Sequence, residues 1–306
     1  MSQSPLAIPF RKRLDAFAHE LSGVEQGNVE ALHRMRVTSR RLRELLPLLE
    51  MDPDTGQNLN RRLRRVTRQL GIVRELDVLM LLIEELQRRN RYPPVALKNL
   101  SASVGDARDT ARERLTARLP LAKLKRLVDR LDRAARLLER QDAAVRRSRA
   151  AGPTRAWLWA LETRLARRAE CVRSAIAAAG SLYVPERLHD VRIALKKLRY
   201  AAELATEVGR QRMTTALPAL KKAQGLLGRI HDLEVLVAFG RGVQASLSPP
   251  DLIVWKALGS LVHAVEGDCR QLHAQYMRDR TTLIVIADRT AASTPRAAAV
   301  GRRAAG

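Results

Sequence analysis

One stretch of this chain occurs twice, and the repetition limits what the rest can fold into. Residues 32–49 read LHRMRVTSRRLRELLPLL, and residues 188–204 read LHDVRIALKKLRYAAEL. At a constant offset of 156 residues, Leu32 aligns with Leu188, His33 with His189 and Arg36 with Arg192. Arg40 and Arg41 align with Lys196 and Lys197, Leu42 with Leu198, and Arg43 with Arg199. No proline precedes Pro47 in the first copy, and apolar residues recur at helical spacing, so each copy is expected to form an amphipathic helix. At about 100° per residue, His33, Arg36, Arg40 and Arg43 share one narrow stripe opposite Met35, Leu42, Leu45, Leu46 and Leu49. In the second copy His189, Arg192, Lys196 and Arg199 oppose Val191, Ala194, Leu198, Ala201 and Ala202.

The repeat continues into the next segment. At offset 157, Leu70-Gly71 aligns with Leu227-Gly228, and Arg74-Glu75-Leu76-Asp77-Val78 with His231-Asp232-Leu233-Glu234-Val235. Arg64 and Arg65 align with Lys221 and Lys222. The one-residue change of offset belongs to the intervening loop, so a two-helix unit is duplicated.

A basic stripe on one helix is usually a solvated face. Two features argue otherwise here. The stripe is read as lacking acidic partners at the i,i+4 spacing by which solvated helices pair their charges. The same order of residues, histidine included, also occurs twice. Clustered cations repel one another unless an anion joins them.

Composition points the same way. The 306 residues carry 56 Lys+Arg against 32 Asp+Glu, a formal charge of +24, which implies a polyanionic partner. Arginine dominates the stripes of the first copy, and its planar fork suits phosphate oxygens. Aromatics make up only 3% while apolar residues reach 46%, the signature of packed helices with a real core. Cys171 and Cys269 offer no disulfide framework, and free thiols in a reducing cytosol are the simpler reading. The N-terminal residues lack the apolar core of a signal peptide, and no apolar run is long enough to span a bilayer, so a cytoplasmic protein without a membrane partner is expected.

Breaks and periodicity divide the remainder. A first short helix is expected over residues 5–21, a turn over 23–27, and Asn28 as the N-cap of the first key helix. Pro47 should kink or end that helix, and residues 51–56 should form a turn. Next come a basic helix with Arg61, Arg65 and Arg68 on one stripe and Arg62 and Arg64 beside it, then an apolar helix over 70–86. Helices are expected over 95–118, 121–147, 154–179, 185–208, from 214 onward with a bend or passage at Gly225 and Gly228, and over 250–280. The chain then reads as an all-α domain over 8–281 made of two bundles, 8–150 and 154–281, joined near Gly152-Pro153. Residues 282–306 read as a basic tail, disordered from about residue 289, and the β-branched run 281–287 fits no element.

These residues carry a family resemblance. The pattern H-x-x-R-V-x-x-R-R-L-R, repeated in diverged form, is followed by LG-x-x-R-[DE]-L-D-V after the first copy and LG-x-x-x-D-L-x-V after the second. This resembles the CHAD family, an α-helical domain named for its histidines, over roughly residues 10–280. The resemblance implies two pseudo-symmetric helical bundles with the key helices facing across a basic groove, and it implies binding of inorganic polyphosphate. Residue by residue, it puts His33, Arg36, Arg40 and Arg43 on one wall and His189, Arg192, Lys196 and Arg199 on the other. Arg64, Arg65, Lys221 and Lys222 join from the following helices. Glu75 stands where the family usually has Asp, and Pro47 shortens the first key helix. A role at polyphosphate granules or in phosphate storage is what the resemblance suggests.

The residue chemistry agrees. A phosphate polymer needs many cations and nothing to stack on, whereas binders of single-stranded nucleic acid add aromatic platforms. The stripes hold no aromatic, with Tyr200 just past one end. Neutral or protonated, the histidines can donate to phosphate, and affinity is expected to rise as pH falls through the histidine range. Two alternatives stand beside this reading. One is a nucleic-acid binder acting through net charge, with non-specific contacts. The other is a metal-dependent phosphohydrolase or phosphotransferase, which would need carboxylate-held cations. The stripes carry no carboxylate cluster, and Asp77, Asp232 and Glu234 read as partners for arginines of neighbouring helices. A non-enzymatic protein without metal or other cofactor is therefore expected. His19, His263 and His273 read as ordinary surface or core histidines. Protein partners leave no mark in the sequence.

Overall fold

The computed structural model of the protein describes residues 6–147, 156–209, 215–247 and 251–292. Among them the regular structure is entirely helical, as the composition and spacing imply. In chain order the α-helices are α1 (Ala7–His19), α2 (Leu21–Glu25), α3 (Val29–Leu45), α4 (Pro53–Arg88), α5 (Pro94–Arg118), α6 (Leu121–Arg147), α7 (Ala156–Ala179), α8 (Pro185–Glu207), α9 (Ala216–Ser246) and α10 (Leu252–Ala292). A single 3-10 turn, Leu46–Leu48, follows α3.

Local chemistry sets most boundaries. Asn28 caps α3 as expected, its side chain accepting from the Ala31 amide at 2.9 Å. Pro47 ends α3 by converting its last turn to 3-10 form. Asp52 caps α4 by accepting from the Thr55 amide, with Pro53 at the first helical position, where its missing N–H costs nothing. α4 therefore begins inside the segment expected to be a turn, and Gly56 lies within the helix. Another expected turn, residues 23–27, contains the short helix α2. Gly23 of α2 lies so close to α3 that a Cβ there would stand 2.5 Å from the Ala31 Cβ, which is why a glycine occupies that position.

Helices α4 and α10 exceed the expectation drawn from local sequence. α4 is one continuous 36-residue helix in place of a basic helix followed by an apolar one. Its buried residues Leu59, Leu63, Val66, Leu70, Val73 and Asp77 run at three- and four-residue spacing straight through Gly71. The same logic carries α9 past Gly225 and Gly228, with Leu220, Ala223, Leu227, Ile230 and Leu233 buried. It also carries α10 beyond residue 280, since Leu283, Ala287 and Thr290 continue its buried stripe. The β-branched run 281–287 is thus helical, because packing outweighs propensity. The start of the expected tail, to residue 292, belongs to α10. Residues 293–306, and the expected junction at Gly152-Pro153, lie outside the described residues.

The chain packs into two compact units over its described residues. One takes Met1–Ala150 with Ile230–Gln271, and the other Ala151–Arg229 with Leu272–Gly306. In the first, α3 packs on α1, α2 and α4, and α4 also packs on α5 and α6. Phe10, Phe17, Met35, Leu42, Leu63 and Leu70 are fully buried there. Ser39 Oγ and Thr67 Oγ1, buried and 2.8 Å apart, pin α3 to α4. Arg91 and Tyr92 both donate to Asp268, tying the α4–α5 corner to α10. In the second unit α7 packs on α8, and Val191, Leu195, Leu198 and Ala202 form the buried face of α8. The apolar sides of both key helices are therefore buried as their periodicity predicts. Cys171 and Cys269 form no disulfide, the first being exposed and the second buried.

Candidate functional site

The cationic stripe of α3 borders a cavity of about 1050 Å³ that lies wholly within the first unit. Arg36, Arg40 and Arg43 line it from α3, and Arg61, Arg64, Arg65 and Arg68 from α4. Arg118, the last residue of α5, and Lys123, in the first turn of α6, form a further side. Glu75 is the sole carboxylate among the lining residues. Nine cations face one anion in this cradle, and no aromatic side chain lines it.

Two of its arginines are seated against neighbouring residues. Arg43 Nε donates to Asn60 Oδ1 at 3.2 Å. Arg36 lies across Gly71, where a Cβ would come to 3.4 Å from its Nε and 3.6 Å from its Nη2, so the small residue gives the guanidinium room to lie against α4. Lys123 Nζ donates to the Arg118 carbonyl at 3.4 Å, which joins the end of α5 to the start of α6. Burial pushes the Arg43 pKa down, and Arg64 and Arg40 push it further, while Glu44 opposes them.

His33 stands one turn before Arg36 on α3 and is not among the residues lining the cavity. It is half-buried, and its Nδ1 is enclosed without a hydrogen-bond partner. Burial holds its pKa below the ordinary histidine value, and Arg74, Arg36 and Arg34 add to this against Glu30. Buried Asp77 accepts from Arg112 of α5 at 3.4 Å, the structural pairing expected of it.

The second copy presents a different surface. Lys221 and Lys222 of α9 line a smaller cavity of about 720 Å³ in the second unit, with Arg278 and Asp279 of α10. Asp279 pairs with Lys222 at 3.0 Å. His189, Arg192, Lys196 and Arg199 do not border this cavity. Arg199 donates to Glu203 and, at 2.7 Å, to Gln224. That ion pair corrects the expectation that the stripes lack i,i+4 acidic partners: Glu203 occupies the position that Pro47 fills in the first copy. Burial lowers the His189 pKa, with Arg192 and Lys196 adding to it against Asp190.

The structure thus gathers Arg36, Arg40, Arg43, Arg64 and Arg65 around one cavity and Lys221 and Lys222 around another. It also brings in cations outside the sequence-derived set. Arg61 and Arg68 were legible, since they share the stripe of Arg65. Arg118, Lys123 and Arg278 carry no motif signal, because only the packing of distant helices brings them there. Among the described residues, no group of three or more His, Cys, Asp or Glu side chains is placed to hold a metal ion, and no helix is long and apolar enough to cross a membrane.

Helices α3 and α4 with the corner of α5 and α6 define an all-α protein with an open, cation-lined cradle. The family model for the CHAD domain matches residues 10–241, and the chain belongs to this family. It is similar to the crystal structure of the CHAD domain from the plant Ricinus communis, with 20% identity over 94% of this chain and 92% of that one and a TM-score of 0.62. It is also similar to PptA from Streptomyces chartreusis, with 17% identity over 95% of this chain and 99% of that one and a TM-score of 0.58. Both likenesses concern the fold. No curated protein matches the sequence.

Proposed function

We propose that this chain binds inorganic polyphosphate through its histidine, arginine and lysine stripes and does no chemistry on the polymer. The observation that carries this is the cradle of nine cations and one carboxylate on α3, α4 and the α5–α6 corner. Membership of the CHAD family supports it, since the family resemblance implies this ligand. A linear phosphate polymer offers closely spaced anionic oxygens, and arginine forks bind such oxygens in pairs. Phosphoryl transfer ordinarily uses divalent cations held by carboxylates, and Glu75 alone is a poor basis for that. Nucleic acid is the weaker reading, because neither cavity offers an aromatic platform. Tyr200, nearest the second stripe, is 8% exposed with Arg199 packed 4.8 Å over its ring, so a base could not stack on it. A destination at polyphosphate granules, or a part in regulating phosphate storage, belongs to the same proposal.

The test is calorimetric titration of the protein with long-chain polyphosphate in EDTA, beside the double reversal Arg40→Glu with Lys196→Glu. Tight binding without metal, lost in the double variant, is expected. Binding that survives the reversal unchanged would mean that the stripes are solvated charge, and slow shortening of the polymer on adding Mg²⁺ would contradict the absence of chemistry.

A further inference from the structure

The two copies present the same helical register to two cavities, but with unequal charge. On α4 the residues lining the cradle include Arg61, Arg64, Arg65, Arg68 and Gln69. At the offset of 157 these align with Pro218, Lys221, Lys222, Gly225 and Leu226, and those same five residues of α9 line the smaller cavity. Two arginines of the first copy are therefore a proline and a glycine in the second. The remaining walls diverge further. In the first copy, α3 and the α5–α6 corner add five cations. In the second, α10 adds Arg278 together with Asp279, which neutralises Lys222.

The key helices diverge in the same sense. Ser39 and Thr67, which pin α3 to α4, align with Leu195 and Gln224. Gln224 reaches Arg199 instead, and Glu203 pairs with that arginine where the first copy has Pro47. Arg36 rests against Gly71, whereas nothing lies within 4 Å of a Cβ built at the aligned Gly228.

We infer that the first-copy cradle is by itself a complete site for a short run of contiguous phosphates, with Arg118 and Lys123 as binding residues, and that the second copy is an auxiliary surface engaged only by longer polymers. This rests on the polyphosphate reading above and deepens it. All the lining residues belong to one compact unit, so a ligand confined to the cradle needs nothing from the other. A triphosphate run is the shared chemistry of inorganic tripolyphosphate and of a nucleotide tail. Because no aromatic lines the cradle, a nucleobase gains no stacking there, and the inorganic form is the ligand inferred.

The experiment is calorimetric titration of the whole chain in EDTA with tripolyphosphate, ATP and long-chain polyphosphate. It compares Arg64→Ala with Arg118→Ala against Lys221→Ala with Lys222→Ala. All four side chains are exposed, and both pairs remove two charges, so a difference between them reports position rather than net charge. Melting temperatures confirm that both variants fold. The expected result is one tripolyphosphate per chain, weakened at least about tenfold by the Arg64 and Arg118 pair, a change equivalent to about 1.4 kcal/mol. The lysine pair should weaken it by less than about threefold, and ATP should bind no more tightly than tripolyphosphate. Equal losses from the two pairs, two equal sites per chain, or much tighter ATP would overturn the inference. So would long-chain polyphosphate binding without tripolyphosphate binding, which would leave the broader reading intact. Failure of all three ligands would end both.

Discussion

At the scale of single residues, how the cations are seated bears on the site beside how many there are. Gly71 illustrates this, because its bare Cα is where the Arg36 guanidinium lies. Gly71→Ala places a methyl group in ordinary contact and should stabilise the helix by about 0.5–1 kcal/mol while leaving polyphosphate affinity unchanged. Gly71→Leu should displace Arg36 and weaken binding several-fold, and titration of the two variants separates the effects. The histidines supply a pH signature. His33 and His189 both have pKa values held below the ordinary histidine value of about 6.5. As pH falls below that value, the unfolded chain takes up these protons before the folded one does, so folding stability declines. The melting temperature of the ligand-free protein should therefore fall between about pH 7 and 5.5, and His33→Asn should flatten the fall. Bound polyanion favours the imidazolium, so affinity should rise over the same window, and an affinity independent of pH would contradict a role for the histidines. The stripe positions themselves were legible from periodicity. The pairing of Arg199 with Glu203 was equally legible, since the two stand at i,i+4 spacing.

At the scale of elements, proline and capping residues made the boundaries readable. Asn28, Pro47 and Pro94 sit where helices start or stop, α5 begins and ends within a residue of the expectation, and α6 begins where expected. Removing the cap with Asn28→Ala should cost about 1 kcal/mol, seen as a lower denaturation midpoint, with the binding constant unaffected. The lengths of α4, α9 and α10 were less readable. Judged locally, Gly71 looks like a break, Gly225 and Gly228 like a bend or a passage, and residues 281–287 fit no element. Each is nonetheless carried within a helix because the buried stripe continues across it, and tertiary burial outweighs about 1 kcal/mol of unfavourable propensity per glycine. Arg118 and Lys123 belong to the same lesson. They reach the cradle only because the α5–α6 corner returns to α4, and no motif in the sequence encodes that return.

At the scale of the whole molecule, a formal charge of +24 draws any polyanion, so attraction alone cannot distinguish a polyphosphate protein from a general one. Counterion release makes every such interaction weaken with salt; the relation is established for nucleic acids and carries over to phosphate chains by the same physics. Discrimination must come from geometry, in an open cradle whose donors suit closely spaced oxygens and which offers bases nothing to stack on. The most direct measurement is therefore competition at a fixed salt concentration near 0.15 M. Fluorescently labelled long-chain polyphosphate bound to the protein is challenged with unlabelled polyphosphate and with single-stranded DNA at matched phosphate concentration. Polyphosphate should displace the probe at a concentration at least about tenfold below that required of DNA. Equal displacement by the two polymers would contradict it and would reduce the cradle to one part of an undirected basic surface.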